Sequence, residues 1–178
     1  MFFVDAAHFV LGSFLGYLWC LTRVFVRASS GRQRYNVLGA INTLTLELVR
    51  VCNDGYITAT TVCELLVKLA ALNLAMPITV VLDNARYQRC RLVQETARAL
   101  QIELLFLPSY SPNLNLIERL WKFVKKTALN SRPHASFAEF RNAIDQCLDE
   151  LPTTHQPQMK TLLAPNFQVF QNVSKLAA

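Results

Sequence analysis

Three carboxylic acids differ from the others in the chain by their surroundings: Asp5 in "MFFVDAAHFV", Asp83 at the end of "ITVVLD", and Glu118 in "SPNLNLIERLWKFVKK". Asp5 is the only acid in the first 46 residues, inside an apolar stretch where an ionised group is costly unless partnered. Asp83 closes a continuous apolar run, and ligands of open α/β sheets gather beyond the carboxyl ends of such strands. Glu118 heads an amphipathic segment whose other charges, Arg119, Lys122, Lys125 and Lys126, are all positive. Carboxylates that converge suit hard cations, because Mg²⁺ takes oxygen ligands and keeps waters for substrate phosphates. Two such ions roughly 4 Å apart can activate an attacking oxygen and stabilise a leaving one in phosphodiester chemistry. The four basic side chains would hold nucleic acid through its phosphates.

Each residue also has a plainer reading. Glu118 follows Asn115 by three positions, which fits an asparagine cap with a glutamate reaching back, and it can pair with Lys122 one turn on. Asp83-Asn84 can start a turn. His8 lies near Asp5 in sequence, but a strand alternates its faces, so it reads as a satisfied rim or core histidine. Trp121, Phe123 and Val124 read as packing residues. On the residues alone, both readings of the acids stay open.

The elements that must position these acids follow from patterning. The chain has 178 residues, 52% of them hydrophobic and 17% charged, enough for one domain with a real core and unlike a disordered chain. Its net charge of +6 and pI of about 9.3 favour an anionic partner, with nucleic acid first and a membrane surface second. Five scattered cysteines show no metal-ligand spacing and read as buried thiols of a reducing compartment. The apolar N-terminus lacks the basic start of a signal peptide and carries Asp5, so it is expected to form buried strands and not a membrane segment.

Strands are expected at 1–10 and 17–29, then one strand or a hairpin over 35–51. Thr58 or Thr60 caps a helix running to about Asn73, with Val62, Leu65, Leu66, Leu69 and Leu72 on one face. The run at 78–85, the helical "RCRLVQETARAL" and the run at 102–108 form a parallel, right-handed crossover unit. A loop, "SYSPNLN", leads to helices at about 116–129 and 137–151, and an irregular Pro-, Gln- and Thr-rich tail follows. This order predicts an α/β fold, a mixed sheet with helices on both faces.

Taken together, "FVDAAHF", "VVLDNARYQ" and "LPSYSPNLNLIERLWKFVKK" resemble the catalytic domain of DDE-type transposases, in the insertion-sequence branch of the mariner superfamily. The resemblance covers roughly residues 1–150, and the third stretch is its most specific part. Thirty-four residues separate Asp83 from Glu118, the spacing typical of that superfamily. The resemblance implies a ribonuclease-H-like fold with a five-stranded mixed sheet, and two Mg²⁺ or Mn²⁺ ions held by Asp5, Asp83 and Glu118, with Asp5 bridging. Asn84, Ser111, Pro112, Asn113 and Asn115 match positions expected to place the substrate. The implied activity is strand cleavage at transposon ends followed by strand transfer to target DNA. The implied setting is a homo-oligomer in the cytoplasm, associated with the nucleoid.

Two departures from the family pattern touch substrate placement and leave the acids intact. Ala6 stands where many relatives carry glutamate after the first acid, and Arg86-Tyr87-Gln88 where many carry a histidine. The helix-turn-helix region that recognises transposon ends in relatives is absent before the first strand, so the expectation is a catalytic half served by a separate or upstream segment. The rival expectations are an inactive DNA-binding remnant and a resolvase-like nuclease on the same fold.

Overall fold

A computed structural model of the protein describes residues 1–12, 21, 33–108 and 111–167. The strand expected at 17–29 lies outside the described residues apart from Leu21. Five strands form one sheet: β1 (Phe2–Val10), β2 (Arg34–Ile41), β3 (Leu48–Asn53), β4 (Ile78–Leu82) and β5 (Ile102–Phe106), in the order β3-β2-β1-β4-β5. The segment at 35–51 resolves as a hairpin: β2 runs antiparallel to both β1 and β3. β4 pairs parallel with β1 and with β5, as the crossover pattern predicts. The sheet is therefore mixed and flanked by helices.

Alternation along β1 divides its side chains between two cores. Phe3, Ala7 and Phe9 enter one, while Phe2 and Val4 enter the other. The second core is covered by α1 (Ala59–Ala70) and α2 (Arg91–Ala99), through Val62, Leu65, Leu66, Leu69, Val93 and Ala97. α1 starts as expected after Thr58, and its end is marked by Asn73 at φ 47°, in the left-handed region asparagine tolerates. β2 is buried from Tyr35 to Ile41, and β4 reads as an apolar run, because helices cover both faces of these strands.

The first core is closed by α3 (Ile117–Val124) and α4 (Phe137–Asp149), with Leu116, Ile117, Leu120, Val124, Phe140 and Ile144 fully buried. α3 passes without a break into one wider, π-helical turn at Lys125–Leu129, so the single helix expected at 116–129 is two helical forms in series. Ser136 caps α4 by accepting the Glu139 N–H at 3.2 Å. α4 is then pinned to the hairpin by the Tyr35 hydroxyl, which donates to Asp145 at 2.8 Å, and by Arg50, paired with Asp149 at 2.8 Å. The four described cysteines are free thiols, and no helix among the described residues is long and apolar enough to cross a membrane.

The tail, expected to be partly irregular, holds one helix among its described residues. Residues 156–162 form α5 (Gln156–Leu162), with proline in its first turn, and Met159 and Leu163 are buried in the first core. Four-residue spacing lets these two side chains share one helix face, and that burial outweighs the weak helix preference of the segment. Arg119 completes the docking: its guanidinium donates to the carbonyls of Leu162 (3.1 Å), Ala164 (2.9 Å) and Asn166 (3.1 Å). A cation at the carboxyl end of a helix satisfies carbonyls that the helix itself leaves unpaired. Arg119, expected to contact DNA, turns these donors onto the protein's own backbone.

Arg119→Ala should lower stability by about 2 kcal/mol, the usual scale for losing hydrogen bonds from a charged donor. It should also open residues 156–167 to proteolysis and leave the salt dependence of DNA binding unchanged. Urea unfolding, limited proteolysis and a salt titration check the three parts.

Candidate active site

β1, the end of β4 and the start of α3 bring the three acids to one region. Asp5 lies in register with Gly39 of β2, on the sheet face that α3 covers. Asp83 directly follows β4, whose last residue is Leu82. Glu118 is in the first turn of α3, where the amino end of a helix favours a negative charge. All three side chains are half-buried.

Electrostatics record their proximity. Burial pushes the Asp5 carboxyl up to about 7, and the charges of Asp83 and Glu118 push the same way; the backbone N–H of Ala6 and the indole of Trp121 partly offset them. Burial also raises Glu118, with Asp83 adding to it and Lys122 opposing. The Tyr87 hydroxyl is raised by burial and then by Asp5 and Asp83, which places the departure "Arg86-Tyr87-Gln88" beside the acids. Among the described residues, no three His, Cys, Asp or Glu side chains close tightly enough to enclose a metal ion as they stand. The donor chemistry still fits a hard divalent cation: three carboxylates and no sulfur or imidazole. Their mutual repulsion is what such a charge would relieve.

Several expectations change at this level of detail. Asn115 does not cap α3. Its side-chain amide donates inward, to the Val4 carbonyl at 3.0 Å and to Asp83 Oδ1 at 3.3 Å, and α3 has no side-chain cap. At 1% exposure Asn115 is sealed from a substrate. The Asn84 amide donates to the Leu107 carbonyl and so ties the ends of β4 and β5, beside the backbone bond from Leu107 N–H to the Leu82 carbonyl at 2.9 Å. The side chains of Asn84 and Asn115, expected to place substrate, thus turn to the protein's own backbone and, for Asn115, to Asp83. Pro112, Asn113 and Leu114 form a short 3-10 turn, closed by the Leu114 N–H on the Ser111 carbonyl at 3.1 Å, and Asn113 is exposed at the rim. Lys122, Lys125 and Lys126 are exposed and form no ion pair among the described residues. His8 lies on the opposite sheet face from Asp5 and is held by Asn36 at 2.6 Å, whose amide in turn donates to Asn53 and Gly55.

Two residues that sequence reading assigned to packing or passed over shape the site. The Trp121 indole N–H donates to Asp5 Oδ2 at 3.1 Å, while its ring meets Phe9 edge-on at 6.2 Å. A buried indole N–H needs an acceptor, and Trp121 stands three residues after Glu118 on the same helix, which is the signal available in the sequence. Gly39 leaves room for that ring. A Cβ there would stand 2.8 Å and 3.1 Å from two Trp121 ring carbons and 3.3 Å from an Ile117 methyl.

A five-stranded mixed sheet with helices on both faces, and acids at β1, after β4 and on the helix beyond β5, defines the ribonuclease-H-like class of catalytic domains. Residues 1–141 match the DDE superfamily endonuclease family, and the chain belongs to it. No curated protein matches the chain. Among solved structures it is similar to Mos1 transposase in a strand transfer complex, with a TM-score of 0.60 at 17% identity over 94% of this chain and 55% of that one. It is also similar to the Mos1 transposase catalytic domain solved with raltegravir and Mg, with a TM-score of 0.57 at 13% identity over 94% and 85% of the two chains. The chain thus spans about half the length of Mos1 transposase as solved in the strand transfer complex.

The raised Asp5 carboxyl sets a pH dependence. Its folded value, about 7, exceeds the ordinary value of 3.8, so the folded state holds the proton more tightly. The stability this provides is complete below about pH 4 and is lost as pH rises through about 7. In metal-free buffer, Asp5→Asn should therefore raise Tm relative to the parent at pH 8 and lose most of that advantage at pH 4.5. Parallel thermal melts in a chelator at the two pH values measure the difference.

Proposed function

We propose that this chain is the catalytic domain of a DDE transposase, carrying out metal-dependent DNA strand cleavage and strand transfer during transposition of an insertion sequence. The observation that carries this reading is the convergence of Asp5, Asp83 and Glu118, drawn from three separate elements, within mutual Coulombic reach. Like charges are brought together at a cost, and a fold that does so with no ion pair to Asp5 or Asp83 among the described residues is arranged for something else to neutralise them. Membership of an endonuclease family supports the same reading. So does the solution of Mos1 catalytic domains with Mn and with Mg.

Asp5, Asp83 and Glu118 would hold two Mg²⁺ or Mn²⁺ ions, which would supply Lewis acidity at the phosphate and lower the pKa of an attacking water. In cleavage, water oxygen bonds to phosphorus, the bond from phosphorus to the 3′ oxygen breaks, and a 3′-hydroxyl and a 5′-phosphate remain. In transfer, that 3′-hydroxyl bonds to a target phosphorus and displaces its 3′ oxygen. Trp121 holds one Asp5 oxygen by its N–H, which fixes the plane of the carboxyl. Lys122, Lys125 and Lys126 would take the phosphates leading away from the scissile bond, with Ser111, Pro112 and Asn113 at the rim of the path. Sequence reading by base edges is assigned to a separate or upstream helix-turn-helix segment, and assembly on paired ends to a homo-oligomer. Such a protein would act in the cytoplasm at the nucleoid.

Glu118→Gln keeps the shape of the side chain and removes a charged oxygen ligand. It should fold normally and lose nearly all Mn²⁺-dependent nicking of supercoiled DNA. Normal nicking by the folded variant would overturn the assignment. A second measurement concerns the basic helix. Phosphate contacts release counterions and carry no sequence information, so DNA binding should fall steeply with salt and differ little between unrelated duplexes. Replacing Lys122, Lys125 and Lys126 by alanine should reduce the salt slope by about 2–3, roughly 0.9 per lost contact. An unchanged slope would remove α3 from the DNA path.

A further inference from the structure

We propose that Asn115 is a positioning residue of the site, a side chain that fixes Asp83 relative to the other two acids. The inference rests on the reading of these acids as metal ligands and adds a residue that acts through them. Asn115 touches all three acid-bearing segments. Its amide donates to the carbonyl of Val4, the residue before Asp5, at 3.0 Å, and to Asp83 Oδ1 at 3.3 Å. Its backbone carbonyl accepts the Glu118 N–H at 3.2 Å. β1, the end of β4 and the start of α3 are thus joined through one residue.

The orientation of the amide follows from chemistry. Both side-chain partners, a carbonyl and a carboxylate, only accept, so the NH₂ must face them and Oδ1 must point away. That oxygen is buried and has no hydrogen-bond partner among the described residues. A buried acceptor left unpaired is unfavourable, and leucine, of similar size, would fill the position without it. Packing alone therefore does not select asparagine here. What asparagine alone supplies at this length is a fork of two N–H donors, one for the strand that carries Asp5 and one for the carboxylate of Asp83.

The Asp83 bond has a second consequence. A carboxylate with one oxygen held by a neutral donor keeps a fixed plane and directs its other oxygen outward. Partners of this kind orient ligating carboxylates, and their loss commonly weakens metal binding by about 10–100-fold. Asparagine does this without adding charge, whereas a lysine would neutralise the acid and compete with a cation.

The experiment has two arms on the full chain. In chelator, urea unfolding of Asn115→Leu, Asp83→Ala and the double variant forms a cycle. The loss of unfolding midpoint caused by Asn115→Leu should be clearly smaller when Asp83 is already alanine. Equal losses in both backgrounds overturn the proposal. If the leucine variant does not fold, Asn115→Ser runs the same cycle, because serine retains one donor on a shorter stem and cannot reach both partners. In the second arm, Mn²⁺ is titrated and Tm is followed. The Asn115 variant should need at least about ten times more Mn²⁺ for its half-maximal shift. Its nicking should show a lowered kcat with an unchanged KM for DNA. A folded variant with the parent's Mn²⁺ midpoint also overturns the proposal. A parent protein with neither a Mn²⁺ shift nor nicking would refute the transposase reading instead, and the metal-free cycle would still decide the coupling of Asn115 to Asp83.

Discussion

Three carboxylates held near one another against their mutual repulsion are the constraint around which the rest of this protein is arranged. Nothing in folding itself favours that arrangement. Burial drives the Asp5 carboxyl up to about 7, and Asp83 and Glu118 add to the effect. The opposing forces come from hydrophobic packing on both sheet faces and from a few directed hydrogen bonds. α3 carries Glu118 because Ile117, Leu120, Trp121 and Val124 bury the other side of the same helix. β1 carries Asp5 because Phe3 and Phe9 anchor the strand within the same core. The cost of the site is therefore electrostatic, and it is met by packing elsewhere in the fold.

The neighbours of the acids divide into those that face outward and those that face inward. Lys122, Lys125, Lys126 and Asn113 meet solvent, while Asn84, Asn115 and Trp121 turn to the backbone or to the acids. Arg119 belongs to the second group, although its charge in a basic helix suggests the first. Its carbonyl partners lie at the end of α5 and just beyond it, so the helix that bears Glu118 is braced by a part of the chain more than forty residues away.

Much of this was legible in the residues. Continuous apolar runs at 78–82 and 102–106 gave the parallel strands, and the placement of Asp83 after one of them gave the site edge. The resemblance of "LPSYSPNLNLIERLWKFVKK" to a family pattern then tied Glu118 to the same place. Direction was not legible. Asn115 has the residue type and spacing of a cap, but whether its amide points along the helix or across to β1 and β4 is decided by tertiary packing, which a local pattern does not encode. The same holds for Arg119 and for α5, whose Pro-, Gln- and Thr-rich sequence hides the pair Met159 and Leu163 that buries it. Trp121 looked like packing and is packing; its second use, as a donor to Asp5, appears only when the strand beneath it is known.

The close seat of Trp121 over Gly39 also restricts how this protein can change by single steps. Every substitution of glycine adds atoms, and here the first atom added already collides with a rigid ring. Trp121 has the opposite freedom, since a smaller side chain leaves space. A lineage that exchanges the pair must therefore shrink the ring before it can enlarge the glycine. The intermediate on that path lacks the indole N–H that holds Asp5 and carries a void beneath the site. The order of steps is fixed by geometry, and the obligatory middle step is the one that disturbs an acid of the triad.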